Sequence, residues 1–195
     1  MNIMDLVGSF IIGGIVLVML VGFNGNIMED AGSQTIKVMA QTNLTEVTNI
    51  IDYEFRKLGY RVGGAPDSSI LYADSMKIVF RGDIDNNGTV DTILYRFSPS
   101  VSGFSNPNTH VLYKSVNSQS QQKINIGITR MRFWYYDASG TLLMSNPVET
   151  PSKIKSFKVA INVESLEPYK ETTMPYLKLN PGAYWERTFK PQNLR

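Results

Sequence analysis

Residues 36–58 read IKVMAQTNLTEVTNIIDYEFRKL. Apolar side chains at Ile36, Ala40, Leu44, Val47, Ile51, Phe55 and Leu58 recur at steps of three or four residues, the spacing that gathers them on one face of an α-helix. Arg56 and Lys57 stand where cations suit the negative end of the helix dipole, and Gly59 follows as a natural C-cap. The stripe predicts an amphipathic helix that must cover an apolar surface, and the chain on either side decides what that surface is.

On the N-terminal side, residues 1–26 read MNIMDLVGSFIIGGIVLVMLVGFNGN. Charged residues make up 18% of the chain, yet Asp5 is the only one among the first 23. Leu6 to Phe23 is uncharged, and eighteen helical residues span about 27 Å, enough to cross a bilayer core. The run has no polar face and holds more glycine than a soluble helix tolerates, so it reads as a membrane segment rather than a core helix. A cleaved export signal is the rival reading, but such h-regions are shorter and follow a basic n-region, whereas the first cation here is Lys37. That lack of early cations also leaves the positive-inside rule silent on orientation.

Helix running with little interruption from Asp5 to Leu58 would be about 80 Å long, its first half in lipid and its second on a soluble partner. Gly13, Gly14, Gly22 and Gly25 each weaken the first half by up to about 1 kcal/mol relative to Ala. Either they permit local unwinding, or they let neighbouring helices approach closely, Ser9 and Gly13 forming one small-x-x-x-small pair. Both readings imply helical partners.

On the C-terminal side the pattern changes to strands. SMKIVFRGD (75–83) and TVDTILYRF (89–97) flank Asn86-Asn87-Gly88, whose Asn-Gly step is a strong hairpin signal. HVLYKSV (110–116), GITRMRFWYYD (127–137), GTLLMS (140–145) and KIKSFKVAINVES (153–165) are read as further strands, with turns at 137–140 and at Asn146-Pro147. The class is therefore α+β: a long N-terminal helix, transmembrane in its first half, packed on an antiparallel β-sheet. The division is a transmembrane segment 1–26, an amphipathic helix 27–60 and a β domain 61–195.

The chain has no cysteine and a single histidine, His110, so thiolate chemistry, disulfides and multi-histidine metal sites are excluded. Asp52 and Glu54 sit two apart on different helix faces, which does not favour a carboxylate pair. No phosphate-binding glycine loop is present. The net charge of +2 divides into about −3 over residues 1–50 and about +5 beyond, without a basic cluster that would track phosphates. An enzyme is not expected, and neither is a nucleic-acid partner.

One motif carries a sharper chemical reading. In DIDNNGTVD (83–91), Asp83, Asp85, Asn87 and Asp91 occupy positions 1, 3, 5 and 9 of an EF-hand-like loop with Gly88 at position 6. Position 12 is Leu94 rather than a bidentate Glu, and the flanks are strands, so this is not an EF-hand. Two readings stand: a weak Ca²⁺ site, or a hairpin tip whose Asp and Asn residues suit turn geometry and remain solvated. No other cofactor is expected.

Taken in order, the apolar start with its acid at position five, IIDYEFRKLGYRV, SILYADSMKIVFRGDIDNNGTVDTILYRF, GITRMRFWYYDASGTLL and WERTFKPQNLR resemble mature type IV pilin-like proteins. They are most similar to minor pilins of the W type and the minor pseudopilin J of type II secretion. The resemblance implies a non-catalytic subunit anchored in the cytoplasmic membrane, with its C-terminal domain outside the cytoplasm. Its implied partners are other pilin-like subunits and an assembly platform, in a filament that it joins or primes.

It further implies that Met1 is the methylated residue exposed when a leader is removed, unless this chain does without the prepilin peptidase. Asp5 then stands where the family's Glu pairs with a neighbour's N-terminal amine, Gly14 where the helix often loosens, and Gly22 where many members have Pro. Asp shortens the reach of the acid by one methylene, and Gly permits a bend without imposing it. An acid within a membrane helix costs about 2.5–3.5 kcal/mol at the helix centre and less near its end, a cost that an amine would offset. The other reading of Asp5 is a solvated carboxylate at headgroup level. For the whole chain, the alternative is a single-pass anchored binding or adhesion domain that never polymerises, using a β-face that carries Trp134.

Overall fold

The two helical readings merge into one element. In the computed structural model, which describes residues 3–63, 69–99, 103–167, 169–170 and 178–194, α1 runs unbroken from Ile3 to Arg56. Its 54 residues extend about 80 Å. Along it the environment changes once. Every large apolar residue from Ile3 to Met28 is exposed, from 43% at Leu6 to 80% at Met4, while Ala40, Leu44, Val47, Ile51, Phe55 and Leu58 are buried. Six of the seven stripe positions therefore face the core, and Ile36, at the upper edge of contact, is partly exposed.

The buried face of α1 lies on an antiparallel sheet made of β1 (Ile70–Ala73), β2 (Lys77–Gly82), β3 (Asp91–Phe97), β4 (His110–Val116), β5 (Gln122–Tyr136), β6 (Ser156–Glu164) and β9 (Gly182–Phe189). These seven strands are joined in that order, while β7 (Tyr169–Lys170) and β8 (Lys178–Leu179) form a separate two-stranded ribbon. In β2 and β3 burial alternates residue by residue, as it must where one sheet face meets the helix and the other does not.

Phe55 sits at the centre of this contact. Its fully buried ring meets Phe80, Tyr95, Phe157 and Phe189 edge-on at centroid distances of 5.3–5.5 Å, and Phe133 at 6.1 Å in a tilted arrangement. One helical side chain thus joins five strands, with the edge-to-face geometry that aromatic quadrupoles prefer.

A buried polar group lies one residue away. Glu54 accepts from the Lys114 ammonium and from the Tyr95 hydroxyl at 2.5 Å, so its charge is both paired and hydrogen-bonded. Burial, reinforced by the Glu54 carboxylate, raises the Tyr95 pKa well above its ordinary value and keeps that hydroxyl a donor. Asp52 instead faces Arg56 and Arg187. The two acids serve different partners, as their separate helix faces predict.

The helix end is tied to β2 by backbone contact. Gly59, at φ 76°, donates its N–H to Arg81 O at 2.8 Å, and the Asp83 N–H bonds Tyr60 O at 3.0 Å. Gly82 lies so close to the helix end that a Cβ there would stand 2.4 Å from the Lys57 carbonyl oxygen. Only glycine fits at that crossing.

Two strand expectations need correction. GTLLMS is not a strand of the sheet: it makes one bridge, Tyr136 to Leu142, and then leaves β5 to cross to the β1 edge. There Asn146 Oδ1 accepts from Ser75 N and Val148 N donates to Ala73 O. Strand β5 begins earlier than its apolar pattern implies, because its first half pairs with β4 and its second half with β6. The hairpin flanking the Asn-Gly step forms, with β2 paired antiparallel to β3. Positive φ falls on Asn86 and Gly88, and the ladder ends at Gly82 opposite Asp91, leaving 83–90 as a wider loop. The WERTF segment lies within β9, paired to β6.

Replacing Phe55 by Ala is expected to cost about 3–5 kcal/mol, because neighbouring rings from five strands cannot all collapse into the space left behind. Met39→Ala, on the exposed face of the same helix, should change stability by less than about 0.5 kcal/mol. Urea unfolding of the detergent-solubilised chain, followed by tryptophan fluorescence, measures both. Equal effects would remove Phe55 from the centre of the core.

Candidate functional site

Two regions hold the residues to which the sequence assigns roles. The first is the exposed half of α1. Asp5 lies in its first turn, where Ser9 Oγ donates to the Asp5 carbonyl oxygen at 2.8 Å. Gly14 and Gly22 are helical, and a Cβ built on either meets nothing within 4 Å, as is also true of Gly8, Gly13 and Gly25. Packing inside this chain therefore does not require glycine at any of these positions. Helix propensity disfavours it at each, by about 1 kcal/mol relative to Ala. Met1 lies outside the described residues.

The second region is the loop between β2 and β3, seated against the C-terminal end of α1. The fold brings one carboxylate oxygen each from Asp83, Asp85 and Asp91 within 4.8 Å of one another. Asp83 is fully buried, Asp91 nearly so, and Asp85 exposed. Asp83 Oδ2 accepts from Arg61 Nη1 at 2.9 Å and from Gly88 N at 3.1 Å, whereas its Oδ1 is buried with no hydrogen-bond partner.

Asp91 accepts from Asn117 Nδ2 at 2.6 Å and from Ile84 N at 3.4 Å. Asp85 is bonded by the backbone and side-chain amides of Asn87. The Asn87 side-chain Oδ1 accepts from the Thr89 N–H and hydroxyl, so it is turned to the loop itself rather than left open. Of the four predicted ligands, the three carboxylates converge.

The loop is also stapled to the helix. Lys57 donates to Ile84 O, to Asn86 Oδ1 at 3.2 Å and to the Tyr53 hydroxyl, while Tyr53 itself donates to Ile84 O at 3.2 Å. Sequence reasoning missed both cations. The signal for Lys57 was its place just after the last turn of the helix. Arg61 carried no local signal, because its partner lies 22 residues away and meets it only after the helix end and β2 are packed.

Burial by itself would push the Asp83 pKa up. The Gly88 N–H and the Arg61 guanidinium outweigh it and, with the Asn86 amide, hold Asp83 below the ordinary value of 3.8.

His110 begins β4, as its sequence context predicts. Its Nδ1–H donates to Ser98 O at 2.8 Å, and its ring lies 4.6 Å from that of Phe97. These contacts give it a structural role at the strand start. No protein-family model matches this chain, and no curated protein matches it significantly.

A group whose folded pKa is lowered contributes its full stability above its unfolded pKa and loses it as pH falls through the folded value. Arg61→Gln removes the charge that favours ionised Asp83. Its Tm in metal-free buffer should fall several degrees below wild type at neutral pH, with the gap closing as pH drops below 3.8. A gap that is independent of pH would show that Arg61 acts by packing instead.

Proposed function

We propose that this chain is a non-catalytic, membrane-anchored subunit of a pilin-like filament, of the minor pilin or minor pseudopilin kind, which joins the filament or primes its assembly. The observation that carries the reading is the change of environment along α1. A helix exposing apolar side chains on every side from Ile3 to Met28 needs lipid before assembly or other helices after it. The second half of the same unbroken helix is committed to the sheet, so the β domain is held at a set distance from whatever surrounds the first half.

The glycines support the same reading. Five residues that cost helix stability and fill no tight space within the chain have their reason outside it, in close approach by a neighbouring helix or in local unwinding during packing. In this proposal Asp5 enters the assembled state as the acid that a neighbouring subunit's N-terminal amine, on its own Met1, neutralises. The partners are other pilin-like subunits and an assembly platform. The membrane is the cytoplasmic one, with the β domain beyond it.

A second reading has one feature in its favour. The sheet face turned away from α1 holds a concavity of about 610 Å³ bordered by His110, Arg130, Trp134, Asn162 and Tyr184, which suits an anchored binding domain that does not polymerise. Filaments with α1 bundled along the axis distinguish the two.

Asp5→Ala in the native host should reduce recovery of this subunit in sheared filaments at least tenfold while leaving the urea unfolding of its β domain unchanged, and Asp5→Glu should restore incorporation. Incorporation of Asp5→Ala at wild-type levels would remove the pairing mechanism, and absence of the wild-type chain from filaments would favour the anchored binding domain.

A further inference from the structure

We propose that the β2–β3 loop is a calcium site, with Asp83, Asp85 and Asp91 as its carboxylate ligands. The inference is independent of the filament reading. Its geometric basis is the convergence of three carboxylate oxygens within 4.8 Å. Oxygens that share one Ca²⁺ at 2.3–2.6 Å stand at most about 5 Å apart, so all three fit around one ion.

A second observation is the buried Asp83 carboxylate. Arg61 and the Gly88 amide occupy its Oδ2, while Oδ1 is enclosed in the fold without a hydrogen-bond partner. A buried carboxylate oxygen left in that state is costly, and a hard cation is the ligand that satisfies it. The charge balance points the same way. Among the described residues, Arg61 is the only cation paired with any of the three acids, and the Lys57 ammonium goes instead to Ile84 O, Asn86 and Tyr53. Three acids with one counter-charge favour a divalent cation over close approach without one.

Only Asp85 is exposed, so the ion would enter from its side and keep water on that side. The absence of a bidentate Glu at position 12, where Leu94 stands, places the affinity in the weak range of about 10⁻⁴–10⁻³ M, which suits a compartment with millimolar calcium. Binding would join the end of β2, the loop tip and the start of β3 in one coordination shell. That shell lies beside the Tyr60–Asp83 and Arg61–Asp83 contacts that hold the helix end. The ion would thus brace the joint between helix and sheet.

The test is calorimetric titration of calcium chloride, to about 10 mM, into the metal-stripped full chain in detergent, alongside thermal unfolding with and without the ion. We expect one saturable site per chain and a Tm rise of about 3–6 °C at ten times the dissociation constant. Asp85→Asn, a change at an exposed position, should weaken binding at least tenfold. Absence of heat in wild type, an equal response to magnesium, or unchanged binding in Asp85→Asn would each overturn the assignment. If Asp85→Asn proves unstable, Asp91→Asn serves as the second variant with the same expected loss.

Discussion

The ring of Phe55 against Phe80, Tyr95, Phe133, Phe157 and Phe189 is the contact on which the rest of the structure depends. An antiparallel sheet of this size has one apolar face, and that face is stable in water only if something apolar covers it. Here the cover is the second half of a helix whose first half has no place in the domain at all. Seating the stripe from Ala40 to Leu58 on the sheet decides the direction in which the remaining helix projects. The buried Glu54 with Lys114 and Tyr95 restricts how the helix can rotate, since any other rotation would leave a charge unpaired in the core.

The single helix therefore has two unlike halves. Its C-terminal half obeys the rules of a soluble core, with a narrow apolar stripe buried against the sheet and an exposed back on which Val38, Met39 and Ile50 also lie. Its N-terminal half is long and apolar enough to cross a membrane, with no polar face and with glycine at positions where nothing in the chain demands it. A continuous backbone connects them, so forces on the apolar half reach the β domain without a flexible linker between. This mechanical continuity makes a filament subunit a more economical reading than a tethered binding domain, for which a flexible connection would serve as well.

The acidic loop belongs to the same joint. It meets the last turn of α1 through Tyr53, and the segment just after it through Lys57, Tyr60 and Arg61, while Gly82 brings two backbones into contact that any side chain would separate. Charge, backbone contact and the proposed ion all act within a few residues of where the helix ends. The stability of that region governs how firmly the domain is held to its anchor.

The amphipathic stripe, the change to an all-apolar half, the switch to strands and the spacing of the acids at 83, 85 and 91 were legible in the sequence alone. Each is a local periodicity, and local geometry turns such a pattern directly into a face or a turn. The strand expected over 140–145 failed for the converse reason, while the hairpin around Asn86–Gly88 formed with 83–90 as its loop. The strand's local signal was sound, but after the bridge at Leu142 the chain leaves β5, and Asn146 and Val148 bond Ser75 and Ala73 at the β1 edge instead. Tertiary structure alone decided that Lys114 would find Glu54 60 residues away, that Tyr95 would find it from 41, and that Arg61 would meet Asp83 across 22. Those pairings exist only once strand order and helix rotation are set. Both are consequences of burying the whole apolar face at once, which no short stretch of sequence encodes.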